Sequence, residues 1–230
     1  FIKGKNNLLL EKKICKIFKC KYSLNVNSGT DALIIAIKSL NLKSKSEIIT
    51  TSNTWISSAY AIELNDCKPV FVDVNPDTFQ VDCNSIRKKI NNKTKAIIVT
   101  HLYGNTSDLD KICKIAKEKN LYIIEDIAQA HLASYNNKIV GNFGDVSCLS
   151  FYPSKNLGAL GDAGNLITNS KKIYMNAVKF ANYGSLNFKD KNHTTIGINS
   201  RMDELQASFL LEKIKYLKSE TKKRIKLANI

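Results

Sequence analysis

Three features of the sequence predict an α/β protein built on a mainly parallel sheet. Short segments such as EIITT, AIIVT and LYIIED are apolar at successive positions, as strands covered on both faces must be. Between them lie longer segments whose apolar residues recur at three- and four-residue spacing, the period of helices that bury one side. The two kinds alternate along nearly the whole chain, the pattern of strands joined by helical crossovers.

Residues 7–20 carry Leu8, Leu9, Ile14, Ile17 and Phe18 at helical spacing, and a strand is expected at Tyr22–Val26. Asn27-Ser28-Gly29-Thr30-Asp31 then leads into an apolar helix, Ala32–Leu40. A Ser-Gly-Thr turn between strand and helix offers free backbone N–H groups and a hydroxyl at the positive end of a helix dipole, which suits a phosphate. The same residues also serve as an ordinary N-cap. Further on, strands are expected at Glu47–Thr51, Pro69–Val72, Ala96–Thr100 and Tyr122–Glu125. Helices fall between them, near Ser57–Leu64, Ser85–Ile90 and Leu109–Asn120. A short strand begins at Ser150; then come a strand at Asn165–Thr168, a helix from Lys171 to Phe180, a loop from Asn182 to Ser200 and a helix from Asp203 to Lys222. With three prolines, no repeat and no linker, residues 1–230 are expected to make one domain.

Sheets of this kind bind ligands beyond the carboxyl ends of their strands. Trp55, His101, Asp126 and Gln129 each follow an expected strand, so all four are expected at one rim. A buried carboxylate at Asp126 must meet a cation or a donor; a pyridinium nitrogen answers this need, as would a helix cap or a salt bridge. Trp55, the only tryptophan, suits stacking on a flat heterocycle or a place in the core. The reactive candidate lies in SFYPSKNLGALGDAG, residues 150–164, where Lys155 stands between Pro153 and the glycines 158, 161 and 164. A lysine amine that its surroundings deprotonate condenses with carbonyls, the chemistry by which pyridoxal phosphate is held.

The formal charge of +15, from 35 Lys+Arg against 20 Asp+Glu, invites a nucleic-acid partner. The lysines, however, are spread along the chain, only Arg87, Arg201 and Arg224 are arginines, and no nucleic-acid-binding signature occurs. The basic surface is therefore read as solvated and compatible with an anionic substrate, with no nucleic-acid partner. No apolar run approaches the roughly 18 residues of a membrane span and no apolar leader opens the chain, so no membrane partner and a cytoplasmic location are expected. The six cysteines form no C-x-x-C pair and have no histidine at metal-ligand spacing; reduced thiols and no metal are expected.

Six ordered motifs carry a resemblance: NSGTDAL (27–33), VFVDVNPDTF (70–79), KTKAIIVTHLYGN (93–105), IIEDIAQAH (123–131), SFYPSKNLGALGDAG (150–164) and GINSRMDELQAS (197–208). Together they resemble the pyridoxal-phosphate sugar aminotransferases of the DegT/DnrJ/EryC1/StrS family over nearly the entire chain. The resemblance implies the aspartate-aminotransferase fold, whose large domain carries a mostly parallel seven-stranded sheet between helices. It also implies a small C-terminal domain, which the 230 residues do not contain, and a homodimer. By the same resemblance Lys155 holds the cofactor as a Schiff base and moves the proton, Asp126 bonds the pyridine nitrogen, Gln129 contacts the phenolic oxygen and Trp55 covers one ring face. Gly29, Thr30 and Ser150 bind the phosphate, Asn199 reaches the phosphate of the other subunit, and Tyr183 and His193 lie near the sugar. The implied reaction passes the amino group of glutamate to a nucleotide-linked keto-deoxysugar; NYGSLNFKDKNHTTIG (182–197) looks most like enzymes acting on thymidine-diphosphate 3-keto-6-deoxyhexoses.

Two departures from the family pattern stand out: Leu132 where a glycine usually follows the histidine, and Ser44–Glu47 where Gly-Asp-Glu is usual. Lys155 argues against the dehydratase branch, which has histidine there. The remaining alternatives are another aminotransferase or synthase on the same scaffold, and an inactive or regulatory cofactor-binding relative or fragment.

Overall fold

A computed structural model of the chain describes residues 2–187 and 192–230. The elements follow in order as α1 (Lys5–Phe18), β1 (Tyr22–Val26), α2 (Gly29–Ser39), β2 (Glu47–Thr51), α3 (Ser57–Glu63), β3 (Lys68–Val72), α4 (Cys83–Lys89), β4 (Thr94–Thr100), α5 (Leu109–Lys119) and β5 (Tyr122–Asp126). They continue as β6 (Ser134–Tyr135), β7 (Lys138–Ile139), β8 (Val146–Ser150), β9 (Gly164–Thr168), α6 (Lys171–Ala181), α7 (Glu204–Lys213) and α8 (Leu217–Ala228). Among the described residues no helix is long and apolar enough to cross a membrane.

Seven strands form one sheet in the order β1-β9-β8-β5-β4-β2-β3, with β6 and β7 a separate hairpin. The strands from β8 to β3 run parallel, while β9 is antiparallel to both of its neighbours. The mostly parallel α/β sheet is thus as expected. Successive side chains of a strand point to opposite faces, so doubly apolar strands feed two cores. Ile49, Ile97 and Ile123 pack with α1, α5 and α7 on one face. Their neighbours Ile48, Ile98 and Ile124 pack with α2, α3 and α6 on the other.

Three local expectations are corrected. Strand β8 starts at Val146, four residues before the predicted Ser150, because the polar-looking VSCLS is buried at every position. The single helix predicted from Asp203 to Lys222 is two: the amides of Lys215 and Tyr216 bond three residues back, to Glu212 and Lys213, and this tightened turn ends α7. His101 does not stand at the rim; it is fully buried, with Nε2 3.2 Å from Oε2 of the equally buried Glu125. The departure at Leu132 has a physical signature: φ is +65°, the left-handed region that favours glycine.

Candidate functional site

The sheet and its crossovers leave a cavity of about 540 Å³ beyond the carboxyl ends of β4, β5 and β8, against the N-terminus of α2. Ser28, Gly29, Thr30, Trp55, Asp126, Gln129, Ser150 and Lys155 all line it. Seven of these were expected site residues, drawn together from four separate segments.

The floor nearest α2 is built by close backbone approach. Ser28 caps α2, its hydroxyl accepting from the Asp31 amide at 3.0 Å. A Cβ on Gly29 would stand 2.7 Å from Cβ of Ser150, and one on Gly164 would stand 2.2 Å from the Ser28 carbonyl oxygen. Only glycine lets the turn press against β8 and β9 in this way, leaving hydroxyls of Ser28, Thr30 and Ser150 around a helix N-terminus. The turn is also pinned from behind. Ser200 donates from Oγ to Oδ2 of Asp31 at 2.6 Å and accepts from the Asn27 amide at 3.1 Å.

The opposite wall carries the titratable groups. Asp126, at the end of β5, is 5% exposed, and its Oδ1 accepts from the Ala128 amide at 3.0 Å. Burial raises its pKa, opposed by that hydrogen bond and by the charges of His101 and Lys155. A carboxylate so placed is stabilised by a cationic partner in the cavity. Gln129 accepts from the Tyr103 amide through Oε1 at 2.9 Å, an arrangement that leaves its NH₂ to donate. Lys155 is held by its backbone, its amide donating to the Tyr152 carbonyl at 2.8 Å, while Phe151 bonds both Ala163 and Ala159 to fold the loop over. Trp55 lines the mouth with 74% of its surface exposed.

Three expected site residues do not line this cavity. Asn199 is exposed, its Oδ1 accepting from Nε of Arg201 at 2.9 Å and its carbonyl from the Asn27 side chain at 3.0 Å. Tyr183 and His193 are brought together, Nδ1 of His193 lying 2.8 Å from the Tyr183 carbonyl, with Arg201 over the Tyr183 ring. Residues 188–191 of the same loop lie outside the described residues.

Glu125 supports the site without having been anticipated. Its carboxylate accepts from the amides of Gly141 at 2.9 Å and of Phe143 and Gly144 at 2.8 Å, besides its contact with His101. Burial alone would raise its pKa, but His101 and the backbone donors prevail and hold it below the usual carboxylate range. The amide of His101 in turn donates to the Asp126 carbonyl at 3.0 Å, so this buried cluster fixes the strand end that carries Asp126. Behind the cavity His131 is 2% exposed and packs on Phe151; burial and the Lys155 charge lower its pKa to about 4.

A profile of the DegT/DnrJ/EryC1/StrS aminotransferase family matches residues 1–230. The chain belongs to this family. It is 43% identical over 218 residues to dTDP-3-amino-3,6-dideoxy-alpha-D-galactopyranose transaminase of Aneurinibacillus thermoaerophilus, covering 95% of this chain and 60% of that protein. It is 40% identical over 229 residues to the pleiotropic regulatory protein of Geobacillus stearothermophilus, covering 99% of this chain and 61% of that one. Among solved structures, ntda of Bacillus subtilis with bound cofactor PMP superposes with a TM-score of 0.89 at 34% identity, over 94% of this chain and 49% of that chain. The chain thus spans about three fifths of the length of the curated relatives it matches.

Proposed function

We propose that the chain is the cofactor-binding part of a pyridoxal-phosphate aminotransferase acting on a nucleotide-linked keto-deoxysugar, with glutamate as amino donor. The observation that carries this reading is the cavity, which gathers Lys155, buried Asp126, Gln129 and the Ser28–Thr30 turn around one space. The fit to the cofactor rests on chemistry. A helix N-terminus with three hydroxyls suits a dianionic phosphate, a buried carboxylate suits a protonated pyridine nitrogen, and an amide donor suits a phenolic oxygen.

In this assignment Gly29, Thr30 and Ser150 would hold the phosphate, Asp126 would bond the ring nitrogen, Gln129 would donate to the phenolic oxygen and Trp55 would cover one ring face. The bound cofactor supplies an electron sink for the charge that develops when a proton leaves the substrate carbon. Lys155 Nζ would be the covalent anchor of the group and the base that accepts and returns a proton at the substrate carbon. Asp126, ionised beside a cationic partner, would keep the ring nitrogen protonated. Trp55 at the mouth and the folded 151–163 loop limit the access of water. Asn199, Tyr183 and His193 are assigned to a second active site completed across a homodimer, Asn199 to the phosphate and the other two to the sugar. Their exclusion from this chain's own cavity is compatible with such sharing.

The sugar class is supported by relatives named as dTDP- and UDP-sugar aminotransferases. A second reading, a cofactor-binding regulator without turnover, is favoured by the likeness to a protein named as pleiotropic regulatory. Adding glutamate to the cofactor-loaded protein separates them. Loss of the visible band, with a new band at shorter wavelength, is expected of the aminotransferase; an unchanged spectrum would leave the regulatory reading.

A further inference from the structure

The end of α1, KKICKIFKCK, carries two cysteines that the proposed reaction does not use. α1 stops at Phe18, Lys19 turns left-handed at φ 55° and ψ 38°, and the Cys20 amide donates to the Cys15 carbonyl at 3.1 Å. In a closing turn of this kind the first and last residues commonly make a side-chain contact. With that nitrogen and oxygen 3.1 Å apart, covalent geometry keeps the two α-carbons within about 7 Å, the limit that a disulfide spans. Both thiols are free and half-buried. The neighbouring Cys20 thiol lowers the pKa of Cys15, against the opposing effects of burial and Glu11, while the Cys15 thiol and burial raise that of Cys20. Such asymmetry makes Cys15 the better nucleophile and Cys20 the resolving partner. Burial raises the pKa of each of the other four cysteines, Cys67, Cys83, Cys113 and Cys148.

We propose that Cys15 and Cys20 are a redox-active dithiol that closes to an intramolecular disulfide by exchange with small anionic disulfides, of which glutathione disulfide is the probe. Lys12 and Lys19 are the i−3 and i+4 neighbours of Cys15, and Lys13, Lys16 and Lys21 add to the local positive charge, which attracts such an oxidant. The Cys15 thiolate attacks one sulfur of glutathione disulfide, the oxidant's S–S bond breaks, and one glutathione leaves and takes up a proton. The Cys20 thiolate then attacks the Cys15 sulfur, forming the protein disulfide and releasing the second glutathione. Two thiols are oxidised and one disulfide reduced.

The test is a peptide map of the whole chain after incubation with glutathione disulfide near neutral pH and alkylation of the remaining thiols. The expected result is a linkage between Cys15 and Cys20 with the loss of two hydrogens, reversed by dithiothreitol, and four alkylated cysteines elsewhere. Cys15→Ser and Cys20→Ser should each lose the linkage, the latter trapping glutathione on Cys15. Alkylation of both cysteines in the unmodified chain, a persistent glutathione adduct on Cys15, or a linkage to another cysteine would overturn the proposal; none of these depends on a variant folding.

Discussion

Replacing Gly29 with alanine tests whether close packing of the turn on β8 builds the phosphate seat. The added Cβ would lie 2.7 Å from Cβ, 3.1 Å from Oγ and 3.2 Å from Cα of Ser150, well inside the roughly 3.5–4.0 Å of a comfortable carbon contact. Ser150 cannot retreat, because β8 is paired with β5 on one side and with β9 on the other, where Ser150 faces Gly164. The turn must therefore move by the better part of an ångström. Overpacking of this kind costs about 1–3 kcal/mol, against at most about 1 kcal/mol gained from alanine in a helix. A net loss of about 1–2 kcal/mol lowers the melting temperature by about 2–8 °C in a chain of this size. It also weakens the cofactor by about tenfold if a comparable strain is relieved only when the phosphate contact is given up. Melting curves and an absorbance titration with pyridoxal phosphate measure both effects. Gly161→Ala is the control, since its nearest neighbour is the tip of the Gln206 side chain at 3.2 Å, which needs to yield by only a few tenths of an ångström with no backbone moved. A Gly29→Ala protein that melts at or above the parent and titrates like it would refute the packing argument.

Asp126→Asn should keep the fold and much of the cofactor affinity while lowering the rate of amine transfer by two or more orders of magnitude, since a neutral amide does not hold a pyridinium charge; stopped-flow absorbance with glutamate checks this. Glu125→Ala orphans one buried and two part-buried amides together with the buried His101, and should destabilise the chain by about 3–5 kcal/mol in urea unfolding, well beyond the effect of any exposed Glu→Ala control. Half-buried Glu11 and buried His131 give opposite pH slopes. Glu11 is pushed up to about 7 by burial, so its contribution is present below its ordinary 4.5 and lost as pH rises through 7; Glu11→Gln should gain up to about 3 kcal/mol over the parent at pH 8 and nothing at pH 4.5. His131, lowered to about 4, contributes above its ordinary 6.5 and loses that contribution as pH falls through 4; His131→Leu should flatten the melting profile over that window.

The residues that were legible in the sequence are those whose chemistry is unusual for their position. Lys155 among glycines, Asp126 at the end of an apolar strand and Ser28-Gly29-Thr30 before a helix each break a local rule, and all converge on the cavity. Glu125 was hidden because its partners lie 16 to 24 residues away, beyond any local pattern. A clue existed: two successive carboxylates on a strand buried on both faces must enter opposite cores, so each needs its own partners. The rule that ligands gather beyond the strands' carboxyl ends misplaced His101, since following a strand does not tell whether a side chain turns toward the rim or back into the core. Glu204 was hidden too; its carboxylate accepts from the amides of Gly4 at 2.9 Å and Asn6 at 2.5 Å, satisfying the N-terminus of α1 from nearly 200 residues away. Strand β8 was shortened because serines in VSCLS imitate a loop, and only the covering helices make their burial evident.

The central claim is that one lysine, Lys155, carries the cofactor in a chain with 35 basic residues. The direct measurement is to add pyridoxal phosphate, fix any imine with borohydride, and map the labelled peptide by mass spectrometry. The account predicts a visible absorbance band before reduction and a single dominant pyridoxyl group on Lys155, both lost in Lys155→Ala. Label scattered over surface lysines, or a band that survives in Lys155→Ala, would contradict it.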